Sequence, residues 1–375
     1  MSQITDLHHR AMEAAEAAEV ARLQNLDDAT DLWRAAFEAE KQAAILCAAD
    51  TALEPTRSVL YRSAAALALR CKEFREAERL IAGGLSGDPP EDIACELRDL
   101  LEQVAFEWHL SLRGITLSPE EMQLAIAGKA VGFGMAVSEE FVGRIQTLER
   151  LIYRTAERKL GNPYREKAVP DKAVRQRLEV CVSLPRAGSF AVSLRLGRPT
   201  EQGTLAFPDV PDMLQPADVM RDVTNGLDLL NQGAADKVRA QIPNEAYYRN
   251  FVGLAKKLAP DGSEIRLVGI TLVRGREHRQ VQLTRVAATF AEFQPPSAGG
   301  IPVTVKGTLK YADDTKKKGG GEIRLLSSGG KAHQIVVPEG MMNDIVKPLW
   351  GSLVVVQGVQ VGSAIRLNDI QAAES

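Results

Sequence analysis

Residue types that build common catalytic centres are scarce in this chain. Its 375 residues include four cysteines and five histidines. No C-x-x-C pair occurs among the cysteines, which are Cys47, Cys71, Cys95 and Cys181, and the histidines are scattered. A disulfide framework, a zinc site and a histidine-activated nucleophile are therefore not expected. The sequence predicts neither a metal nor another cofactor.

Long apolar runs and short catalytic motifs are missing as well. No stretch of about eighteen apolar residues occurs, so we expect no membrane span and no membrane partner. The polar opening, MSQITDLHHR, lacks the apolar segment of a secretory signal, which predicts a cytoplasmic protein. Gly128-Lys129 lacks the earlier glycine of a phosphate-binding loop, and Ser189 does not lie in a G-x-S-x-G motif.

Charge is present in ordinary amount but is distributed unevenly. Residues 1–110 carry 11 basic and 21 acidic side chains, residues 111–300 carry 26 and 21, and residues 301–375 carry 9 and 7. The acidic first third is suited to dock on the basic middle of the same chain or on another protein. A solvated acidic surface without a partner is the alternative.

The first third, residues 1–111, predicts an all-α domain. Alanine and leucine, both strong helix formers, dominate it, and apolar positions recur every three or four residues. The pattern predicts helices at 4–23, 27–48, 55–70, 73–86 and 91–110.

The fourth of these helices contains a spaced set of aromatic, small and apolar residues: Phe74, Ala77, Ile81, Gly84 and Pro89. This set resembles the second helix of the tetratricopeptide repeat. A second copy comes earlier, but the distance from Ala29 to Ala77 is 48 residues instead of about 34.

The resemblance implies helical hairpins of a kind that mostly bind other proteins. Acidic side chains on the same helix, Glu73, Glu76 and Glu78, are then candidates for a protein-binding surface. A plain helical bundle that only packs on the next domain is the alternative.

The middle, residues 112–293, predicts an α+β domain with segregated hairpins and helices. Hairpins are expected at 178–196 and 264–285, and the apolar run 123–135 indicates a strand or a hairpin. Arginines on the two hairpins, among them Arg186, Arg274 and Arg276, form a basic surface for an acidic protein or phosphates if the hairpins are adjacent.

Residues 294–300 are rich in proline and glycine and predict a linker to a small all-β barrel at 301–373. Strands are expected at 301–312, 321–328, 332–337, 352–361 and 363–370, with a helix at 340–349. Five strands with a helix after the third resemble the OB-fold in layout, and an SH3-like barrel is the alternative.

The OB-like layout implies a nucleic-acid surface around the loop between the first two strands. Basic residues there and nearby are candidates for contacts with nucleic acid or an acidic partner: Lys310, Lys316, Lys317, Lys318 and Arg324. Bases also need aromatic side chains for stacking, and the only candidates in the barrel are Tyr311 and Trp350. A solvated loop on a protein-binding barrel would explain the same lysines.

These patterns favour a cytoplasmic, non-enzymatic adaptor or regulator that binds protein partners through its helical hairpins and its basic α+β domain. One alternative is a protein that binds nucleic acid through the barrel. Another is an enzyme whose site is assembled without a recognisable motif. The sequence leaves the oligomeric state open.

Overall fold

The chain folds into two compact units, Met1–Arg113 and Gly114–Ser375. Helices form the first, and an α+β domain followed by a closed β-barrel forms the second. The multi-domain fold class expected from the sequence is thus confirmed. The computed structural model describes residues 2–23, 28–110, 121–129, 131–132, 135–165, 169–182, 190–197, 214–274, 277–293, 300–314, 320–362 and 364–373. Within these ranges, no helix has the length and apolar character needed to cross a membrane.

Each helix described in the first unit lies within two residues of its predicted bounds. Consecutive helices pack on one another, and small side chains such as Ala36, Ala64 and Ala68 fill the core between them. A 3₁₀ turn, Thr51–Leu53, precedes the third helix. The helices are α1 (Ser2–Leu23), α2 (Ala29–Leu46), α3 (Thr56–Arg70), α4 (Phe74–Leu85) and α5 (Glu91–Leu110).

The repeat-like residues of α4 are part of this core. Ala77, Ile81 and Gly84 are buried, whereas Phe74 and Pro89 are partly exposed. A Cβ added at Gly84 would lie 2.9 Å from Leu97 Cδ1 and 3.1 Å from Tyr61 Cβ, so glycine permits α4 to approach both α3 and α5 closely. The pattern therefore marks a tightly packed helical hairpin.

The described strands of the α+β domain are β1 (Glu121–Ala127), β2 (Val131–Gly132), β3 (Met135–Ala136), β4 (Val180–Val182), β5 (Phe190–Leu196), β6 (Leu267–Arg274) and β7 (Glu277–Leu283). Five of them form an antiparallel sheet in the order β4-β5-β1-β6-β7, and β2 and β3 form a separate ribbon. The helices of the domain are α6 (Ser138–Lys159), α7 (Lys172–Arg177), α8 (Pro216–Asn231), α9 (Ala235–Gln241) and α10 (Glu245–Leu258), and a 3₁₀ segment, Ala287–Phe293, ends the domain.

The centre of this domain lies between β1 and the helices α6, α8 and α10. Met122, Leu124 and Ile126 belong to the same buried cluster as side chains of all three helices. The intervening residues, Gln123 and Ala125, are buried as well. Because both faces of β1 are covered, its sequence is a continuous apolar run without alternation, which explains why the sequence alone left strand and hairpin open.

Five strands that follow in the chain form the barrel: β8 (Ile301–Asp313), β9 (Gly321–Leu326), β10 (Ala332–Val337), β11 (Leu353–Val361) and β12 (Ala364–Ala372). The barrel closes in the order β10-β12-β11-β8-β9. Strands β10 and β12 are parallel, and the other described pairs are antiparallel. A π-helical turn, Met342–Val346, and a 3₁₀ turn, Lys347–Leu349, stand between the third and fourth strands, where the sequence predicts a helix.

Candidate functional site

An aromatic–cationic pair stands on the outside of the barrel. Tyr311 of β8 pairs in register with Arg324 of β9, which in turn pairs with Gln334 of β10. The Arg324 guanidinium lies 4.7 Å from the centroid of the Tyr311 ring, and the Tyr311 hydroxyl donates to Asp313 Oδ2 at 3.2 Å. Tyr311 is 38% exposed, so the pair is accessible to a ligand.

A break in strand register adds a lysine to this surface. The β8–β9 pairing shifts between Leu309 and Tyr311, which marks a β-bulge. Leu309 points into the barrel core, while the next two residues, Lys310 and Tyr311, are both exposed. We call the surface formed by Lys310, Tyr311, Arg324 and Gln334 the barrel face.

The second aromatic residue named from the sequence is exposed too. Trp350 is 57% exposed, and the amide of the following residue, Gly351, donates to the Leu309 carbonyl at 3.0 Å. This bond places the tryptophan backbone beside the bulge of β8. Leu326 and Leu353, both of which pair in register with Thr308, are also exposed and extend the apolar part of this surface.

Of the basic residues predicted to contact a ligand, the structure brings Lys310 and Arg324 together. Three others, Lys316, Lys317 and Lys318, fall outside the described residues, in the connection between β8 and β9. Arg186 and Arg276 also fall outside them, and Arg274 is the last residue of β6.

The two arginine-bearing hairpins are not adjacent, so the condition for a joint basic surface is not met. Strand β1 lies between them. Its register pairs Ile126 with Phe190 and Met122 with Leu272. The β4–β5 connection, which carries Arg186, therefore leaves the sheet at the opposite end from the β6–β7 connection.

Two of the three candidate glutamates, Glu73 just before α4 and Glu76 within it, form ion pairs with α2. Glu73 Oε1 lies 3.1 Å from Arg34 Nη1, and Glu76 Oε1 lies 3.0 Å from Lys41 Nζ. The hydrogen bond from Lys41 lowers the pKa of the Glu76 carboxyl, against the effect of partial burial. Glu78 is half-buried and makes no ion pair with any other residue in the described ranges.

A buried polar network fixes the barrel to the α+β domain. Asp344, in the π-helical turn, accepts from Arg154 Nε at 2.8 Å and from Asn250 Nδ2 at 3.0 Å. Lys257 donates to the main-chain carbonyls of Asp344 and Ile345 at 3.1 and 3.0 Å. Sequence reasoning missed this network, because its members are far apart in the chain and none stands in a motif.

A cavity of about 300 Å³ lies beside this network, between α6, α10 and the barrel. Its cationic side chains already have partners. Lys256 contacts Asp369, while Arg144 contacts Glu140 and donates to the Ala259 carbonyl. Burial, together with the charge of Arg150, lowers the pKa of Lys257, which also lines the cavity, to about 8.

Among the described residues, no three histidine, cysteine, aspartate or glutamate side chains are grouped as ligands of a metal ion. Comparison of the chain with protein-family models, with curated proteins and with solved structures gave no match. Function must therefore be inferred from the geometry of the surfaces described above.

Proposed function

We propose that this chain is a non-enzymatic nucleic-acid-binding protein and that its barrel face contacts single strands. The observation that carries the proposal is the exposed Tyr311 ring with the Arg324 guanidinium stacked on it and Lys310 beside it. Bases stack on aromatic rings and on guanidinium planes, while cationic groups attract the phosphates. Such a surface offers a single strand both kinds of contact.

The connectivity of the barrel supports the same proposal. Strand order, the parallel β10–β12 pair and the helical turns between the third and fourth strands agree with an OB-like layout better than with an SH3-like one. OB-folds bind oligonucleotides on their second and third strands and on adjoining loops. Here Arg324 and Gln334 stand on the second and third strands, and the connection from the first strand to the second contains Lys316, Lys317 and Lys318.

The second candidate function is that of a protein-binding adaptor that uses the helical hairpins. It is favoured by the compactness of the helical unit and by its charge, since residues 1–110 hold 21 acidic against 11 basic side chains. The tetratricopeptide-like pattern supports a hairpin that binds proteins, but Glu73 and Glu76 are occupied by α2. Glu78 is therefore the better of the candidate residues for a partner contact.

The experiment that tests the nucleic-acid proposal is fluorescence anisotropy of a labelled single-stranded oligonucleotide with the full chain at several salt concentrations. We expect affinity to fall steeply with salt, and the triple variant Lys316→Ala, Lys317→Ala, Lys318→Ala to reduce the slope of log K against log salt by about 2. An unchanged slope in the triple variant would show that these three lysines do not contact phosphates. No binding by the parent protein at low salt would overturn the proposal.

Affinity purification from the native host, with and without nuclease treatment, separates the two candidates. Partners that disappear after nuclease treatment are bridged by nucleic acid, as the first candidate expects. Partners that survive nuclease but are no longer captured by a Glu78→Lys variant support the adaptor.

A further inference from the structure

Two arginines lie together where the first turn of α10 meets the barrel, and a third, on the barrel, is near enough to act on the charge of one of them. Arg239 Nη1 is 3.3 Å from Glu245 Oε2, and Arg249 Nη2 is 3.1 Å from Glu245 Oε1, so two guanidinium groups share one carboxylate. The third, Arg366, is exposed on β12. We call Arg239, Arg249 and Arg366 the arginine cluster.

The contact between the barrel and α10 brings the cluster together. Gly340 lies against the first turn of α10, where a Cβ on it would approach the Ala246 carbonyl to 2.3 Å. Asn250 donates to the Gly340 carbonyl at 2.9 Å. Arg366 pairs in register with Val336, four residues before this glycine. The docking of Gly340 on α10 thus brings the β12 arginine towards those of the α+β domain.

The three arginines of the cluster stand near two carboxylates, Glu245 and Glu339. Burial lowers the pKa of Arg249, and the charges of Arg366 and Arg239 lower it further, while Glu245 and Glu339 act in the opposite direction. The Arg366 side chain makes no hydrogen bond or ion pair with another residue of the described ranges. Each guanidinium has five N–H donors. Arg366 is exposed and the Arg239 side chain is 38% exposed, so donors of these two arginines face solvent, whereas the Arg249 side chain is only 16% exposed.

We propose that the arginine cluster binds backbone phosphates of a single strand that continues from the barrel face onto the α+β domain; this inference rests on the proposed function. The barrel-face row Tyr311–Arg324–Gln334 ends on β10, and β12 is the next strand. Three strand spacings of about 4.8 Å separate Tyr311 from Arg366, or roughly 15 Å, a distance that a few nucleotides span. Arginine suits this role because its planar fork matches phosphate oxygens.

Strand length tests the inference. Labelled oligonucleotides of about 2 and about 20 nucleotides are titrated with the full chain, because about 2 nucleotides can contact the barrel face without reaching the arginine cluster, whereas about 20 exceed the roughly 4–16 nucleotides that one OB-like barrel takes. The variants are Arg366→Gln and the double variant Arg239→Gln, Arg366→Gln. Arg221→Gln is the matched control, because Arg221 is an exposed arginine on α8 that pairs with Asp218. Thermal unfolding confirms that each variant is folded.

We expect the double variant to bind the long strand about tenfold or more weakly and the short strand almost as well as the parent does. Its salt slope for the long strand should fall by about 1.4, that is about 0.7 for each phosphate that is no longer neutralised. Arg221→Gln should behave as the parent. If long-strand binding is unchanged in both cluster variants while the parent binds both strands, the inference is overturned and the proposed function stands. If the parent binds neither strand, the proposed function and the inference fall together.

Discussion

Arg154 and Asp344 form an ion pair at 2.8 Å that joins the α+β domain to the barrel, with side chains only 5% and 4% exposed. The carboxylate also accepts from Asn250, and the guanidinium has a second, longer contact with Glu157 at 3.5 Å. Because the pair is removed from water, each charge depends on the other for compensation. The orientation of the barrel on α6 and α10 is therefore set by polar contacts as well as by apolar packing.

Replacing Asp344 by alanine should lower the free energy of unfolding of the second unit by about 3 kcal/mol, because it removes the nearer of the two carboxylates that pair with the buried Arg154 guanidinium. Urea denaturation measures the decrease, and hydrogen exchange in α6, α10 and the barrel shows where the protein is destabilised. The control is the double variant Arg154→Met, Asp344→Leu, in which apolar side chains replace both charges and most of the stability should return. Parent-like stability of the single variant would show that the pair contributes little.

Most of the fold could be predicted from the sequence, because the patterns that mark helices and strands are local. Helix bounds follow from periodicity and from breakers such as Pro55 and Pro89, and barrel strands follow from alternation between inward and outward residues. The placement of β1 between the two hairpins could not be predicted from the sequence. Strand order depends on long-range pairing, and no local pattern records which strand lies beside Phe190 or Leu272.

Only part of the candidate site could be predicted from the sequence. Lys310 and Arg324 could be named because the OB-like layout placed them near the first loop of the barrel, and Tyr311 and Trp350 because aromatic residues are few. The stacking of Arg324 on Tyr311 depends on strand register and on a bulge, which the sequence does not specify. The arginine cluster required the docking of the barrel on the α+β domain.

Lys257 predicts a pH dependence of stability. Its pKa is lowered to about 8 in the folded chain from 10.5, so between these values the unfolded state binds more protons and stability rises with pH. From about pH 7.5 to 9.5 the gain should be about 2 kcal/mol, and it should be absent in a Lys257→Met variant. Urea unfolding of both proteins at each pH measures the difference. Burial raises the pKa of Tyr247 from 10.0 to about 12. Above pH 10 this shift makes stability fall as pH rises, so the measured pH range ends below that value. A parallel pH response of both proteins would contradict the assignment to Lys257.

Two helical glycines should respond in opposite ways to alanine. At Gly84 the new methyl group would lie 2.9 Å from Leu97 Cδ1 and 3.1 Å from Tyr61 Cβ, whereas at Gly143 of α6 it would meet nothing within 4 Å. Gly143→Ala should raise the free energy of unfolding of the second unit by about 0.5–1 kcal/mol through helix propensity alone. Gly84→Ala should lower that of the first unit by about 1 kcal/mol, since crowding outweighs the same gain. Chemical denaturation measures both, and a stabilised Gly84→Ala would show that α3 and α5 can move apart at no cost.

Tyr311 offers the sharpest test of the barrel face. Tyr311→Ala removes the ring on which Arg324 stacks and on which a base would stack, so affinity for a single strand should fall roughly tenfold to hundredfold. Tyr311→Phe is the matched control, because it keeps the ring and removes only the hydroxyl that donates to Asp313. Anisotropy at fixed salt measures both, and the salt slope should not change, since the ring neutralises no phosphate. If Tyr311→Ala and Tyr311→Phe weaken binding equally, the hydroxyl is responsible and stacking is not. If neither variant weakens binding, the strand does not lie on the barrel face.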